Sequence, residues 1–195
     1  MRIIRYTDKN YSSAIKKLDR RSAPPAGVEE IVKGIIAEVK TRGDAALIEF
    51  SNRFDKAEFK TAKDLRVTAA ELAAAENAVD AATKKAIAAS RKNVTDFARH
   101  SLRKDWSGTN AQGAEVGERY LPFQRVGIYV PGGSAPLVST SNMTVCLAAA
   151  AGCPEIVVMT PPGPGGKVNP ALLYALKKAG ATEIYKVGGA QGMAA

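Results

Sequence analysis

Histidine occurs once in this chain, at position 100, and cysteine twice, at 146 and 153. That scarcity excludes a good deal. A zinc site needs about four well-spaced ligands, which one histidine and two cysteines do not supply. Two cysteines make no disulfide framework either; they suit a reducing compartment and read as small buried hydrophobes. His100 has no carboxylate or cysteine placed by sequence to work with it, so it reads as a solvated or capping residue. No apolar run approaches the length of a membrane span, and the start Met1-Arg-Ile-Ile-Arg-Tyr-Thr-Asp8 lacks a signal-peptide core. The expectation is a cytoplasmic protein with no membrane partner. Residues 121–195 hold only two carboxylates, Glu155 and Glu183, both at strand starts, the wrong end of a parallel sheet for acid–base catalysis. Neither a Gly-x-Gly-x-x-Gly fingerprint nor a Walker loop is present, and no internal repeat stands out.

What is abundant is basic charge, a net +9, with 46% hydrophobic residues, enough for a core in 195 residues. The excess is spread: 13 basic against 9 acidic residues in 1–60, 10 against 8 in 61–120, and 5 against 2 in 121–195. One stretch, 84–104, concentrates it (Lys84, Lys85, Arg91, Lys92, Arg99, Arg103 and Lys104 against Asp96). On a helix this is a solvated face. Without an aromatic platform it does not point to nucleic acid.

The patterning predicts an α/β protein: a helical N-terminal region followed by a partial, truncated Rossmann-like parallel βαβαβ unit. Residues 1–25 read as a basic arm ending at Pro24-Pro25. Residues 26–122 read as mainly helical, and 123–195 as the incomplete nucleotide-binding domain. Val28, Ile31, Val32, Ile35, Ile36 and Val39 follow helical spacing. Gly43 suits a helix C′ position and Asp44 an N-cap, and a second helix from 45 to about 53 buries Leu47, Ile48 and Phe50. A brief extended piece is expected at 65–67. Thr68-Ala-Ala-Glu71 is a capping box, and Asp80 caps a helix reaching about 103, with Ala86, Ile87, Val94 and Phe97 as its buried side. Residues 106–120 read as a crossing segment or hairpin.

From 125 onward the alternation is plain. Arg125-Val-Gly-Ile-Tyr-Val130 is a strand stopped by Pro131-Gly-Gly-Ser-Ala-Pro136. An Ala-rich helix over 139–151 follows, then a strand at 156–159 and the loop Thr160-Pro-Pro-Gly-Pro-Gly-Gly166. Asn169 and Pro170 open a helix closed by Gly180, and 184–187 is the third strand. Gly188-Gly-Ala-Gln191 then leads into another helix. Right-handed crossovers and a parallel sheet follow. Such sheets bind ligands at the carboxyl ends of their strands, here at 129–136 and 187–191. The paired glycines fit either an anionic ligand such as a pyrophosphate or simply tight strand-to-helix turns.

The motifs Val126-Gly-Ile-Tyr-Val-Pro-Gly-Gly-Ser-Ala-Pro-Leu137, Ala151-Gly-Cys-Pro-Glu-Ile-Val-Val158, Thr160-Pro-Pro162 and Val187-Gly-Gly-Ala-Gln191 resemble those of histidinol dehydrogenases, in the same order and at similar spacing. Arg42-Gly-Asp-Ala-Ala-Leu47 and Phe54-Asp55 resemble the family's early helical turn. The resemblance runs from about residue 28 to the end. It implies a zinc-dependent, NAD-linked oxidation of L-histidinol through the aldehyde to L-histidine, consuming two NAD, by a cytoplasmic homodimer of histidine biosynthesis. It also implies that Tyr129 and Gln191 contact NAD. Tyr129 would offer an aromatic face and a hydroxyl at the end of the first strand; Gln191 would offer an amide donor and acceptor at a helix start. Gly132, Gly133, Gly188 and Gly189 are expected to shape the loops.

By the same resemblance the zinc ligands, the Glu-His acid–base pair and most substrate contacts lie beyond Ala195. No catalytic or metal residue is therefore assigned here, and the chain is expected to be inactive alone and prone to self-association. A related NAD-dependent dehydrogenase of another alcohol, such as a sulfonated diol, would share these motifs. A non-catalytic interaction fragment is the further alternative.

Overall fold

A computed structural model describes residues 3–18, 26–132 and 137–195. Pro24, Pro25 and positions 133–136 of the first glycine corner lie outside the described residues. The chain divides into two compact units, Met1–Gly34 and Ile35–Ala195. Within the first, a short helix α1 (Tyr11–Lys16) follows a turn in which Asp8 accepts from the Arg5 backbone N–H at 2.9 Å. Six residues are too few for helical periodicity to show in sequence.

Helix α2 (Val28–Arg42) carries Glu29 and Glu30 in its first turn and Lys40 and Arg42 in its last, as the helix dipole favours. Helix α3 (Asp44–Asp55) begins one residue beyond Gly43. Gly43, expected as the C′ residue of α2, is the N-cap of α3 at φ +55°, and Asp44 is the first helical residue rather than the cap. Residues Ala62–Leu65 form a short 3-10 turn. Helix α4 (Ala69–Ala78) starts at the expected capping box: the Thr68 hydroxyl accepts from Glu71 N–H, and Glu71 accepts from Thr68 N–H at 2.7 Å. Asp80 caps α5 (Ala81–Ser101) through Thr83 N–H. Its buried residues are Ile87 and Ala98, with Val94 packed at the margin, whereas Ala86 and Phe97 face solvent.

Strands β1 (Trp106–Thr109) and β2 (Glu115–Glu118) form an antiparallel hairpin around an Asn110 turn, every strand residue exposed. The α/β unit follows: β3 (Arg125–Tyr129), α6 (Val138–Ala150), β4 (Glu155–Met159), α7 (Pro170–Ala179), β5 (Glu183–Tyr185) and α8 (Gly189–Ala194). The sheet is parallel in the order β3-β4-β5. Asn169 caps α7 with Pro170 at its first position, and Gly180 ends it at φ +114°.

Strand alternation sorts the core into two. Val126, Ile128, Ile156, Val158 and Ile184 meet α6, α7 and α4 in one apolar cluster, with Cys146 buried inside it. On the opposite face Leu47, Phe50, Phe59, Leu65 and Val187 form the second, against Tyr185 and Ala194. The basic stretch on α5 is partly spent on packing. Arg91 donates to the Lys178 carbonyl at the end of α7 (3.1 Å), and Lys84 lies over the Tyr174 ring. Among the described residues no helix is long and apolar enough to cross a membrane.

Candidate functional site

Three parallel strands end at the same rim, so their three following loops share one corner. β3 continues one residue to Val130, fully buried, whose N–H donates to the Met159 carbonyl at 2.9 Å before Pro131 stops the pairing. β4 continues to Thr160, whose N–H donates to Tyr185 O at 3.0 Å, and then turns at Pro161-Pro162. β5 continues to Lys186, whose N–H donates to Leu65 O at 2.7 Å, and then to Val187-Gly188-Gly189.

Pro161 is the wedge. A Cβ at Gly132 would lie 2.9 Å from Pro161 Cγ, and one at Gly188 only 2.5 Å from Pro161 Cβ. Gly132 and Gly188 therefore both crowd one proline ring, which leaves no room for a Cβ at either position. These glycines serve close loop packing. Gly189 is different: it is exposed, at φ +60°, and a Cβ there would meet Gln191 Oε1 at 2.6 Å.

Tyr129 and Gln191 both come to this corner. The Tyr129 hydroxyl, half-buried at the end of β3, accepts from the Gly189 N–H at 3.4 Å. Gln191 is 2% exposed and lies folded beneath Gly189, making no side-chain hydrogen bond among the described residues. At this corner the Tyr129 side chain is half-buried, whereas the Gln191 amide is enclosed beside Gly189.

Beside the corner lies a cleft of about 360 Å³, lined by Gly132, Pro161, Pro162, Lys167 and Asn169, with Asp55 from the end of α3. Burial raises the Asp55 carboxyl above its ordinary range, and its Oδ2 is buried without a partner. In the sequence Asp55 stands out only within a motif; nothing in its spacing announces that α3 carries it to the strand ends. A larger groove, about 730 Å³, lies on the open face of the sheet. Its lining combines Val157, Met159 and Tyr185 of the strands with the charged Asp44, Lys63, Arg66 and Arg125.

The opposite rim is taken by structure. Arg125 pairs with Glu155 and, at 3.0 Å, with Glu183, tying the three strand starts together and using both carboxylates of the α/β unit. His100, at the end of α5, places Nδ1 2.7 Å from the Asp96 carbonyl. Among the described residues no group of three or more histidine, cysteine, aspartate or glutamate side chains could hold a metal ion.

These features define a parallel α/β fold whose glycine-rich strand ends meet at one rim, the place where sheets of this class take their ligands. Residues 18–195 match the family model of histidinol dehydrogenase, and the chain belongs to that family. It is 44% identical over 168 residues to a histidinol dehydrogenase of Symbiobacterium thermophilum, covering 86% of this chain and 38% of that one. Against the histidinol dehydrogenase of Caulobacter vibrioides it is 40% identical over 196 residues, covering 100% of this chain and 45% of the relative. The crystal structure of histidinol dehydrogenase from Elizabethkingia anophelis superposes with a TM-score of 0.85 at 34% identity, covering 93% of this chain and 42% of that one. The chain thus spans about two-fifths of the length of the relatives it matches.

Proposed function

We propose that this chain supplies the NAD-facing corner of a histidinol dehydrogenase, the zinc-dependent enzyme that oxidises L-histidinol through the aldehyde to L-histidine with two NAD. In this reading Tyr129 and Gln191 contact NAD, and the working enzyme is a cytoplasmic homodimer. NAD, when bound, is the hydride acceptor. The chain's own residues hold and orient it: the Tyr129 ring offers a flat apolar face, its hydroxyl a hydrogen bond, and the Gln191 amide a donor and an acceptor.

The observation that carries the reading is the Tyr129 hydroxyl at the Gly189 N–H, which brings the end of β3 and the start of α8 to one point. The topology supports it. α6 and α7 lie on one face of the sheet, whereas α8 lines the groove on the other with Met193 and Ala195. The winding therefore changes face beside β3, the place where open α/β sheets take their ligands. Zinc is a different matter. The described side chains form no metal-binding group and no acid–base pair at this rim, so no zinc or proton-transfer step is assigned to them.

Calorimetric titration of NAD against the chain tests the corner. Saturable binding is expected, weakened at least about tenfold in Tyr129→Ala and in Gln191→Ala, with Tyr129→Phe separating ring from hydroxyl. Thermal melts of each variant guard against a folding defect. Absence of saturable NAD binding would overturn the corner assignment. Histidinol-dependent NADH formation with zinc, measured on a protein of the relatives' full length carrying this region, tests the substrate.

A further inference from the structure

A circuit of contacts closes behind the glycine corner, and Lys186 is its buried charge. The backbone N–H of Lys186 donates to Leu65 O at 2.7 Å, just before the chain enters Val187-Gly188-Gly189. Its side chain runs to α4: the ammonium donates to Glu71 Oε1 at 2.8 Å and lies 5.5 Å from the centre of the Phe59 ring. Both partners are themselves held. The other oxygen of Glu71 accepts from the Thr68 N–H at 2.7 Å and from the Thr68 hydroxyl at 2.9 Å. The Asn52 side chain bonds Phe59 twice, donating to its carbonyl at 2.9 Å and accepting from its N–H at 2.7 Å.

From Phe59 the circuit passes to the loop after β4. A Cβ at Gly166 would lie 2.4 Å from Phe59 Cε1, and the Gly165 N–H donates to the Lys56 carbonyl at 3.0 Å. That loop starts at Pro161, whose ring crowds Gly188, two residues beyond Lys186. Lys186, Phe59, Gly166, Pro161 and Gly188 thus form a closed path. Most of its links are apolar packing, which has no preferred direction, whereas a charge-assisted hydrogen bond has a preferred distance and angle. Lys186 lines a hollow of about 330 Å³ with Phe59, Glu71 and Gly166, and is not among the residues lining the cleft beside the corner. Whatever it does for that corner, it does through the backbone it carries.

We propose that Lys186 is a positioning residue for the glycine corner: held by Glu71 and Phe59, it fixes where β5 ends and so sets the Gly188-Gly189 turn against the Tyr129 hydroxyl and thereby against NAD. Its bearing on NAD rests on the function proposed above; the placing of Gly189 does not. A buried ammonium is costly unless paired, so the lysine is stable only where Glu71 meets it, and one geometry of β5 against α4 is selected.

The test compares three variants of the whole chain with the wild type. Lys186→Met keeps the apolar stem and removes the charge, Lys186→Arg keeps the charge, and Glu76→Gln breaks the exposed pairs of α4 with Lys177 and Lys178. In Lys186→Met the Gly189 amide is expected to exchange at least about tenfold faster while β4 amides keep their wild-type rates. The NAD Kd from calorimetry is expected to rise at least about fivefold in the same variant. Lys186→Arg should recover most of both effects, and Glu76→Gln should move neither. Glu71→Gln loosens the same contact from the side of α4 and carries the test should the methionine variant not fold. Unchanged Gly189 exchange, or an acceleration that extends equally to β4, would overturn the proposal. Faster Gly189 exchange with an unchanged NAD Kd would overturn its bearing on NAD. No NAD binding by the wild type would overturn the NAD site alone, and Gly189 exchange would still decide the positioning role.

Discussion

A lysine that is 7% exposed carries a desolvation cost, and Lys186 sits one residue before the Val187-Gly188-Gly189 corner. Its ammonium donates to Glu71 Oε1 at 2.8 Å and lies over the Phe59 ring, so the end of β5 is tied to the first turn of α4. Burial alone would raise the Glu71 carboxyl, but hydrogen bonds from Lys186 and from Thr68 outweigh it and hold the group below its ordinary range. A depressed carboxylate stabilises the fold above its unfolded value and loses that contribution as pH falls through the folded one. Unfolding free energies of the wild type and Glu71→Gln from urea denaturation should therefore differ at neutral pH by about 1–3 kcal/mol, less than for a fully buried pair. They should converge as pH drops from about 4.3 downward. Gly188 makes a second residue-scale case. Its φ of −104° suits any residue, but a Cβ would lie 2.5 Å from a rigid proline ring. Gly188→Ala is expected to cost about 1–3 kcal/mol in chemical denaturation, through overpacking and not backbone strain. Nothing in the spacing of the glycines forecast Pro161 as their common neighbour. The motif announced a corner, and only packing shows what crowds it.

Helix and strand limits were legible wherever a side chain or a ring fixes the backbone locally. Thr68 with Glu71, Asp80, Asn169 with Pro170, and Gly180 all act where the sequence placed them. Legibility failed where one residue serves two elements: with α2 ending at Arg42 and α3 starting at Asp44, Gly43 could close one helix or open the other. It failed again on α5, whose apolar residues are sparse, so the buried side turned on which neighbours packed against it, and Phe97 was left outside. The elements should also differ in stability. β4 is paired on both sides and buried over residues 156–158, whereas β1 and β2 bury no side chain. Native-state hydrogen exchange should give β4 amides the slowest rates in the chain and hairpin amides at least about tenfold faster ones. Equal protection would mean that the hairpin is held by contacts other than its own ladder.

Over the whole molecule, two kinds of unsatisfied surface invite association, and salt separates them from electrostatics. Phe97, Leu121 and Phe123 are each more than 70% exposed, and among the described residues no strand covers the outer edge of β3. A net charge of +9 opposes any self-contact, a repulsion that weakens once the screening length falls to about 8 Å near physiological ionic strength. Sedimentation velocity should therefore show the average mass rising with protein concentration and with added salt. A contact held by ion pairs would respond to salt in the opposite sense. Leu121→Lys with Phe123→Lys removes apolar surface and adds charge of the repelling sign, so it should return the chain to the monomer across the same range. Gly127→Pro alone should leave the association largely intact, because it touches only one backbone donor on the edge. If Gly127→Pro abolishes association and the lysine pair does not, apolar surface is not what drives self-contact, and the β3 edge pairs with its own copy.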